Sequence, residues 1–214
     1  MNGTAHHFTG SSWAQIGSDN RSRAVWSSGE TVFFVGIDGV VMDQEGNTTT
    51  VPSSDPDSET PPGNLHAVWG ADLNSVFSVG EGGAIYSFDG TVWEAMESPT
   101  TDDLNAVWGT GASNVYAVGE DSTILHYDGL AWSVVSVPNI SPASLELVSG
   151  TGPNDIFVAG SGGVLLHFNG TGWGPVNGPQ GRTNGIAASA HGVFIFGEDS
   201  TTEGNIRLLR STPW

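Results

Sequence analysis

The chain has 214 residues, including 31 Gly, 11 Pro and no Cys, and its 23 acidic residues outweigh 5 Lys and Arg to give a formal charge of -18. This charge excludes nucleic acid and an anionic membrane surface as partners, because both would repel the chain. The lack of Cys excludes a disulfide framework and a thiol nucleophile, so a packed core must stabilise the fold. No apolar run approaches the roughly 18 to 20 residues that span a bilayer. The eight Trp favour a folded domain over disorder.

A repeat of about 40 residues runs along the chain, and each unit holds four short runs rich in Val, Ile, Phe, Tyr and Trp. The clearest units run from Leu65 to Trp93, from Leu104 to Trp132 and from Leu145 to Trp173. Ser149 replaces the first Trp of the third, and an earlier, degraded copy has Thr49 in place of the second Trp. We expect one domain, residues 1–214, with repeats at about 22–62, 63–102, 103–142, 143–183 and 184–214, the last completed by 5–17.

Turn residues separate the apolar runs, which predicts a four-stranded antiparallel meander in each unit and no helix. Asp89-Gly90, Asp128-Gly129 and Asn169-Gly170 fit hairpin turns that require a positive φ. The Trp three residues after each Gly is expected to anchor the outer strand. Four-stranded units at this period stack radially as blades. The sequence therefore predicts an all-β fold, a five-bladed β-propeller.

The motif Ala-Val-Trp-Gly, Val-Tyr-Ala-Val-Gly, Ile-Leu-His-Tyr-Asp-Gly and Trp, between 106 and 132, resembles the tandem repeats of exported or surface-associated bacterial β-propeller proteins. The resemblance covers 22–214, with 5–17 matching half a unit, and it implies a secreted, cell-surface or periplasmic location. Five blades of this size are also similar to tachylectin-type lectins, without their sequence signature. The spacing from Asp128 to Trp132 departs from the Asp-box of sialidase-type propellers, which weighs against a glycosidase.

The two ends of the chain carry matching pieces of a repeat. His6 to Trp13 and Arg207 to Trp214 both match a third strand, its turn and the start of a fourth. We expect Ser12 to Gly17 to supply the outer strand of the last blade, so that a clasp closes a monomeric ring and covers its edges. One third strand is then surplus. Displacement of either end, a larger ring and an exchange of ends between two chains stay open.

The loops between second and third strands hold the candidate ligand-binding carboxylates. Such loops share one face of a propeller, so we expect an acidic face that binds a glycan, a basic protein partner or calcium. Its alternative role is to keep the protein soluble. Loops joining successive blades would add Asp55, Asp57, Glu59, Asp102 and Asp103. The candidate binding residues are Asp38, Glu81, Glu120, Asp121, Glu198 and Asp199.

Aromatic and His side chains supply the other candidates. Trp26, Trp69 and Trp108 on the first strands could stack on a sugar ring, although core packing is the favoured role. His7, His126 and His167 hold one third-strand position in different blades, which spaces them too widely for a zinc site. We expect each of these His to be hydrogen-bonded between sheets. Neither a metal site nor a cofactor is predicted, with calcium left open.

Catalytic motifs such as G-x-S-x-G and H-E-x-x-H are missing from the sequence. We therefore expect a non-enzymatic binding module that recognises glycans, as a lectin does, or a cell-surface protein through repeated sites. A glycosidase or lyase with a single site built from several blades is one alternative. A structural repeat segment of a larger surface protein is another.

Overall fold

The computed structural model describes residues 5–17, 22–53, 62–137, 140–177, 181–189, 192–199 and 202–209, with backbone alone at 5, 16–17, 198–199 and 202–209. These ranges form β-strands joined by short turns, which confirms the predicted all-β class. None of them contains a helix long and apolar enough to cross a membrane. The chain groups into two compact units, Met1–Thr101 and Asp102–Trp214.

In the first unit, the described strands form a two-stranded sheet and two four-stranded antiparallel sheets. The small sheet pairs β1 (Ala5–Phe8) with β2 (Trp13–Gly17). Blade 1 comprises β3 (Ser22–Ser28), β4 (Thr31–Gly36), β5 (Val40–Met42) and β6 (Thr48–Thr50). Blade 2 comprises β7 (Leu65–Asp72), β8 (Ser75–Gly80), β9 (Ile85–Phe88) and β10 (Trp93–Ala95). Each blade is a meander, because its strands pair in chain order.

The described residues of the second unit form two four-stranded sheets and a three-stranded sheet, again paired in chain order. Blade 3 comprises β11 (Leu104–Gly111), β12 (Asn114–Gly119), β13 (Ile124–Tyr127) and β14 (Trp132–Val134). Blade 4 comprises β15 (Leu145–Gly152), β16 (Asp155–Gly160), β17 (Leu165–Phe168) and β18 (Trp173–Pro175). Blade 5 comprises β19 (Thr183–Ser189), β20 (Gly192–Asp199) and β21 (Thr202–Leu209). This succession of sheets is consistent with a five-bladed propeller.

The hydrogen bonds of the described strands do not show the predicted clasp. β2 pairs with β1, which places Trp13 opposite Phe8, and β21 pairs with β20. Both third strands expected near the chain ends are therefore formed. Residues 210–214, which include Trp214, lie outside the described residues. Closure by the N-terminal strand stays a prediction.

The turns between third and fourth strands confirm only part of the hairpin prediction. Gly90, Gly129 and Gly170 have φ of 98°, 98° and 87°. The preceding Asp or Asn acts through its side chain and not through a positive φ. In blade 2, Asp89 Oδ1 accepts the N–H groups of Thr91 at 2.8 Å and Val92 at 2.9 Å. Asp128 and Asn169 accept the corresponding pairs of N–H groups.

The strand register corrects the alignment of the first repeat. Thr49 pairs with Val41, which precedes Met42 at the end of β5. The outer Trp of blade 2 instead pairs with Phe88, at the far end of β9. Blade 1 has a shorter hairpin at this point, closed by the Asp43 N–H bond to Asn47 O at 3.0 Å. Thr49 is therefore not the counterpart of the outer Trp.

The Gly that ends the second strand lies against the backbone that leads into the first strand. A Cβ built on Gly80 or Gly119 would lie 2.0 Å from the carbonyl oxygen of Asn64 or Asp103. The residue after this Gly donates its N–H to the same carbonyl, at 2.9 Å for both Glu81 and Glu120. The same approach recurs at Gly160 and Gly197. Only Gly leaves room for this hydrogen bond, which holds the two strands together at one end of the blade.

Outer-strand Trp side chains pack against the preceding blade within each unit. Trp93 of blade 2 is buried and meets Phe33 of blade 1 edge-on, with ring centroids 5.7 Å apart at 79°. Trp173 of blade 4 meets Tyr116 of blade 3 at 5.9 Å and 65°. Edge-to-face pairs of this kind add to the free energy of apolar burial. The predicted structural role of these Trp residues is confirmed.

The close approach at Gly119 gives a test of the blade geometry. We expect Gly119→Ala to lower the free energy of unfolding by about 1 to 3 kcal/mol, because its Cβ would overlap the Asp103 carbonyl. Gly111→Ala in the same blade is the matched control, since a Cβ there meets nothing within 4 Å. Urea titrations followed by Trp fluorescence measure both variants. Equal stability of the two variants would contradict the proposed constraint.

Candidate functional site

The loops that carry the predicted carboxylates are type I′ turns in blades 1 to 4. Such a turn has two successive residues with positive φ, and its first carbonyl accepts the fourth N–H. In blade 3 that bond joins Thr123 N–H to Glu120 O at 2.9 Å. The first left-handed residue is Asp38 (φ 56°) in blade 1 and Asp121 (φ 50°) in blade 3, and both side chains are exposed. Blades 2 and 4 have Gly82 and Gly162 at this position. The turn conformation is therefore the same in all four blades, whereas an acidic residue occupies the position only in blades 1 and 3.

Glu81 connects the entry of blade 2 with its turn. Its carboxylate accepts the backbone N–H of Asn64 at 3.1 Å and also the Asn64 side-chain amide. These hydrogen bonds hold the pKa of Glu81 below its ordinary value. The Asn64 Oδ1 accepts the N–H of Asp38 at 3.1 Å, which extends the network to the turn of blade 1. His66 Nε2 lies 3.8 Å from the Glu81 carboxylate.

Glu120 connects blade 3 with blade 4. Its Oε1 accepts the Ser144 hydroxyl at 2.7 Å and lies 3.4 Å from the Asn105 amide nitrogen. The Asn105 amide also donates to the Leu145 carbonyl at 3.0 Å. In blade 4 the equivalent of Glu120 is Ser161, whose hydroxyl accepts the Ser144 N–H at 3.1 Å. Glu81 and Glu120 therefore have structural roles that the sequence analysis did not identify.

Two further acidic residues adjoin the turn of blade 3, one through its backbone and one through its carboxylate. The carbonyl of Asp103 accepts the N–H of Glu120 at 2.9 Å, and the Asp102 carboxylate accepts the Thr123 hydroxyl at 2.8 Å. Glu120 and Asp121 are exposed, whereas Asp102 and Asp103 are half-buried. We refer to these four acidic residues as the acidic turn surface: Asp102, Asp103, Glu120 and Asp121.

Blade 5 departs from the predicted loop pattern. Glu198 and Asp199 belong to β20, and the register pairs Asp199 with Thr202 of β21. The predicted loop at this point is therefore wrong, because the two strands continue to pair past the place where the other blades turn. The side chains of Glu198 and Asp199 lie outside the description, as do residues Asp55, Asp57 and Glu59 in full.

The first-strand Trp residues pack within the units. A Cβ built on Gly70 of blade 2 would lie 2.6 Å from the Trp26 ring, and one on Gly150 of blade 4 would lie 2.5 Å from the Trp108 ring. Trp69 stacks on Phe77 in its own blade, with ring centroids 6.5 Å apart. The three rings are half-buried. These contacts favour the packing role over sugar stacking.

His126 and His167 on the third strands bond within their own blades and not between sheets. His126 Nε2 lies 2.7 Å from Asn114 Oδ1, and His167 Nε2 lies 2.7 Å from Asp155 Oδ1. Burial lowers the pKa of His126, against an opposing effect of the Asp128 carboxylate. Within the described ranges, no group of three or more His, Asp or Glu side chains is placed to hold a metal ion.

Two open pockets lie beside outer strands, one in each unit. The pocket of the first unit has a volume of about 370 Å³ and combines the aromatic rings of Phe33, Phe88 and Trp93 with Asp43, Asn47 and the Thr residues of β6. The pocket of the second unit has a volume of about 380 Å³, and its lining includes His167, Asn169, Thr171 and Trp173. The walls of the first pocket come from two blades whose residues lie up to 60 positions apart, so no local pattern predicts it, whereas the second is formed by the hairpin between 167 and 176.

Neither a family model nor a curated protein matches the chain. Among solved structures, YCF48 bound to a D1 peptide is 20% identical, with a TM-score of 0.64 over 92% of this chain and 69% of that one. The extracellular domain of the putative hybrid two-component system BT3049 from B. thetaiotaomicron is 9% identical, with a TM-score of 0.71 over 92% of this chain and 30% of that one. An ancestral GH74 enzyme is 13% identical, with a TM-score of 0.62 over 91% of this chain and 33% of that one.

These similar proteins are β-propellers, and the likeness shows the fold alone. The chain spans about a third of the length of the latter two. The tachylectin resemblance and the bacterial repeat family stay predictions.

The hairpin turn of blade 2 gives a test by pH. Hydrogen bonds from the Thr91 hydroxyl and from the N–H groups of Val92 and Thr91 lower the pKa of Asp89 to about 2. Because the ordinary pKa is about 3.9, the stabilisation is complete above that pH and is lost as the pH falls through the folded value. We expect Asp89→Asn to keep the turn, as Asn169 does in blade 4, and to lose less stability than the parent between about pH 4 and pH 2.

Asp89→Ala is the comparison, since it removes the acceptor and should be less stable at neutral pH as well. Urea midpoints at neutral and acid pH measure the three proteins. Identical acid profiles for the parent and Asp89→Asn would contradict the role of the ionised carboxylate.

Proposed function

We propose that this chain is a non-enzymatic binding module that recognises a positively charged segment of a protein partner through the acidic turn surface. The observation that carries the proposal is the grouping of Asp102, Asp103, Glu120 and Asp121 on adjoining, hydrogen-bonded backbone. Clustered like charge raises the local concentration of an oppositely charged partner and steers its approach.

The charge of the chain supports this choice of partner. The chain contains 23 acidic residues and only 5 Lys and Arg. In the described part of the second unit, Arg182 is already paired with Glu146, with 3.1 Å between the guanidinium nitrogen and the carboxylate oxygen. A Lys or Arg of a protein partner would bring positive charge to this acidic chain.

The variation between blades favours one asymmetric site over repeated sites. Asp38 and Asp121 hold a position that is Gly82 and Gly162 in the alternate blades. Of the three Trp rings that would bind repeated sugars, Trp26 and Trp108 pack on Gly70 and Gly150, and Trp69 stacks on Phe77. One binding site per chain is the expected consequence for a protein partner.

Two of the similar structures accord with this proposal. YCF48 is a propeller seen with a bound peptide, and the BT3049 structure is an extracellular domain. Together with the resemblance to exported repeats, the latter leads us to infer a secreted, cell-surface or periplasmic location for this chain.

Binding of a Lys- and Arg-rich peptide tests the proposed surface. We expect one peptide per chain by calorimetry, with an affinity that falls as salt screens the carboxylates. Asp121→Asn should weaken binding about two- to fivefold, the effect of losing one exposed ion pair. Asn tolerates the left-handed backbone of this turn, so the fold is kept.

The matched control is Asp128→Asn, which removes the same charge from a different turn of the same blade. Its affinity should equal that of the parent. Equal weakening by both variants would mean attraction to net charge alone and would overturn the assignment of the site.

Glycan binding is the second candidate, and the pocket beside β6 favours it. The aromatic rings of Phe33, Phe88 and Trp93 and the hydroxyls of Thr48, Thr49 and Thr50 suit the apolar face and the hydroxyls of a sugar. A glycan array with calcium and with chelator separates the candidates. We expect a blank array in both conditions; hits on one sugar class would establish a lectin instead, and their loss with chelator would implicate calcium.

A glycosidase and a structural segment of a larger surface protein are the remaining alternatives. The GH74 enzyme is a propeller at 13% identity, a likeness that reaches the fold and not the chemistry. The described residues carry no catalytic motif that would favour the enzyme hypothesis over the binding module.

A further inference from the structure

The third strands of blades 3 and 4 each place a His ring against the aromatic residue of the second strand. The imidazole of His126 stacks on Tyr116, with ring centroids 4.5 Å apart and planes at 29°. His167 stacks on Phe157 at 4.2 Å and 16°. The strand register places the two members of each pair directly opposite one another. In these two blades a flat imidazole ring therefore covers one face of the aromatic side chain.

Blade 1 has the aromatic residue but not the imidazole. Phe33 lies three residues before the Gly that ends β4, as the stacked aromatic residues of blades 3 and 4 do before theirs. The pairing of Phe34 with Met42, continued by one residue, places Asp43 opposite Phe33. Asp43 therefore occupies the strand position that a His occupies in blades 3 and 4.

The side chain of Asp43 is short and is held in its own turn, so it does not take the place of a ring. Its Oδ1 accepts the N–H groups of Glu45 at 3.0 Å and of Asn47 at 2.8 Å, and its Oδ2 accepts the Asn47 side-chain amide at 2.9 Å. Within the described ranges, no Lys, Arg or His pairs with this carboxylate. Asp43 therefore supplies a negative charge without a cation, and Oδ2 can accept about one further hydrogen bond.

The pocket beside β6 lies at this position. Its volume of about 370 Å³ falls at the lower end of the range for ligand pockets, roughly 300 to 1,000 Å³, and is ample for a five-membered ring. Phe33 and Asp43 both line it. Phe88 and Trp93 meet Phe33 edge-on, at 68° and 79°, so they form walls of the pocket and do not stack on Phe33. Exposed hydroxyls of Thr48, Thr49 and Thr50 complete the lining.

We propose that the pocket beside β6 binds a protonated imidazole ring, which stacks on Phe33 and donates one N–H to Asp43. The stacking reproduces the contact of His126 with Tyr116 in blade 3. An imidazolium ion has one positive charge and two N–H donors. The charge matches the carboxylate, one N–H matches the remaining acceptor site of Oδ2, and the other N–H is accepted by a Thr hydroxyl of β6.

The hydrogen-bonding capacity of the pocket favours an imidazolium over other ligands that stack on aromatic rings. A guanidinium presents five N–H donors, more than Asp43 can accept with three of its roughly four acceptor sites in use. A neutral sugar would leave the charge of Asp43 without a cation. The site belongs to the first unit and the acidic turn surface to the second, so this binding goes beyond the proposed function.

An NMR titration with imidazole tests the site at about pH 5.5, below the ordinary imidazole pKa of about 6.5. We expect the amide signals of Thr48–Thr50 and the indole signal of Trp93 to shift, with a dissociation constant of about a millimolar, a realistic value for so small a ligand. Pyrazole is the matched ligand, because it is an isomer of the same size that stays neutral at this pH. It should bind about tenfold more weakly, since it lacks the charge that attracts the ring to Asp43.

Three variants test the role of Asp43. Asp43→Asn removes the charge and keeps an oxygen acceptor for the turn, as Asn169 does in blade 4. It should weaken imidazole binding by about fivefold and leave pyrazole binding unchanged. Glu94→Gln is the control, because it removes one exposed charge from β10 without lining the pocket, and it should change neither affinity. Asp43→His supplies the ring from the chain itself and should abolish binding of both ligands.

Acetyl-histidine methylamide distinguishes the two sources of such a ring. If it shifts the pocket signals as imidazole does, the pocket accepts a His side chain of a protein partner. If imidazole alone shifts them, the ligand is a free imidazole compound.

Two results would overturn the proposal. One is the absence of any shift of the pocket signals at tens of millimolar imidazole. The other is equal affinity for imidazole and pyrazole, which would mean a site for neutral rings. None of these readouts uses the Lys- and Arg-rich peptide, so the proposed function is judged independently.

Discussion

The blades depend on a close contact between two backbones at the end of the second strand. Gly80 and Gly119 come so near to the carbonyls of Asn64 and Asp103 that a side chain would overlap them. The next N–H then bonds to the same carbonyl, which fixes where the first strand enters and where the type I′ turn begins. The positions of Glu81, Glu120 and Asp121 follow from this contact, since they belong to the turns that it holds.

The acidic residues consequently serve two purposes. Glu81 and Glu120 bond to Asn64 and Ser144, groups that lead into a first strand, so their carboxylates hold the blades in place. At Asp121 the turn requires only a residue that tolerates the left-handed backbone conformation, and Asn or Gly would also do so. A carboxylate at Asp121 is therefore a better indicator of function than one at Glu81 or Glu120.

The sequence was sufficient to predict the repeat, the strands and the blade type, because alternating apolar residues and Gly-containing turns are local signals. The sequence was insufficient to predict the hydrogen-bond partners of the carboxylates, because these partners are distant in the chain. Asn64 lies 17 residues from Glu81, and Ser144 lies 24 residues from Glu120. The same tripeptide, Glu-Asp-Ser, occurs at 120–122 and at 198–200, and it shows that a local sequence does not by itself determine the local structure. The first forms a tight turn, whereas Glu198 and Asp199 extend a strand whose partner, β21, begins at Thr202.

The packing of Trp26 on Gly70 and of Trp108 on Gly150 affects how the number of repeats in such a chain can change. Each of these Trp residues belongs to one blade and packs on a Gly of the following blade. The outer-strand Trp residues pack in the opposite direction, against the preceding blade. A typical repeat therefore contains both sides of the interface that it needs. Duplication of a gene segment encoding one repeat would add a blade with surfaces already matched to its neighbours. Loss of one repeat would likewise leave two compatible surfaces, so recombination by whole repeats requires few compensating substitutions.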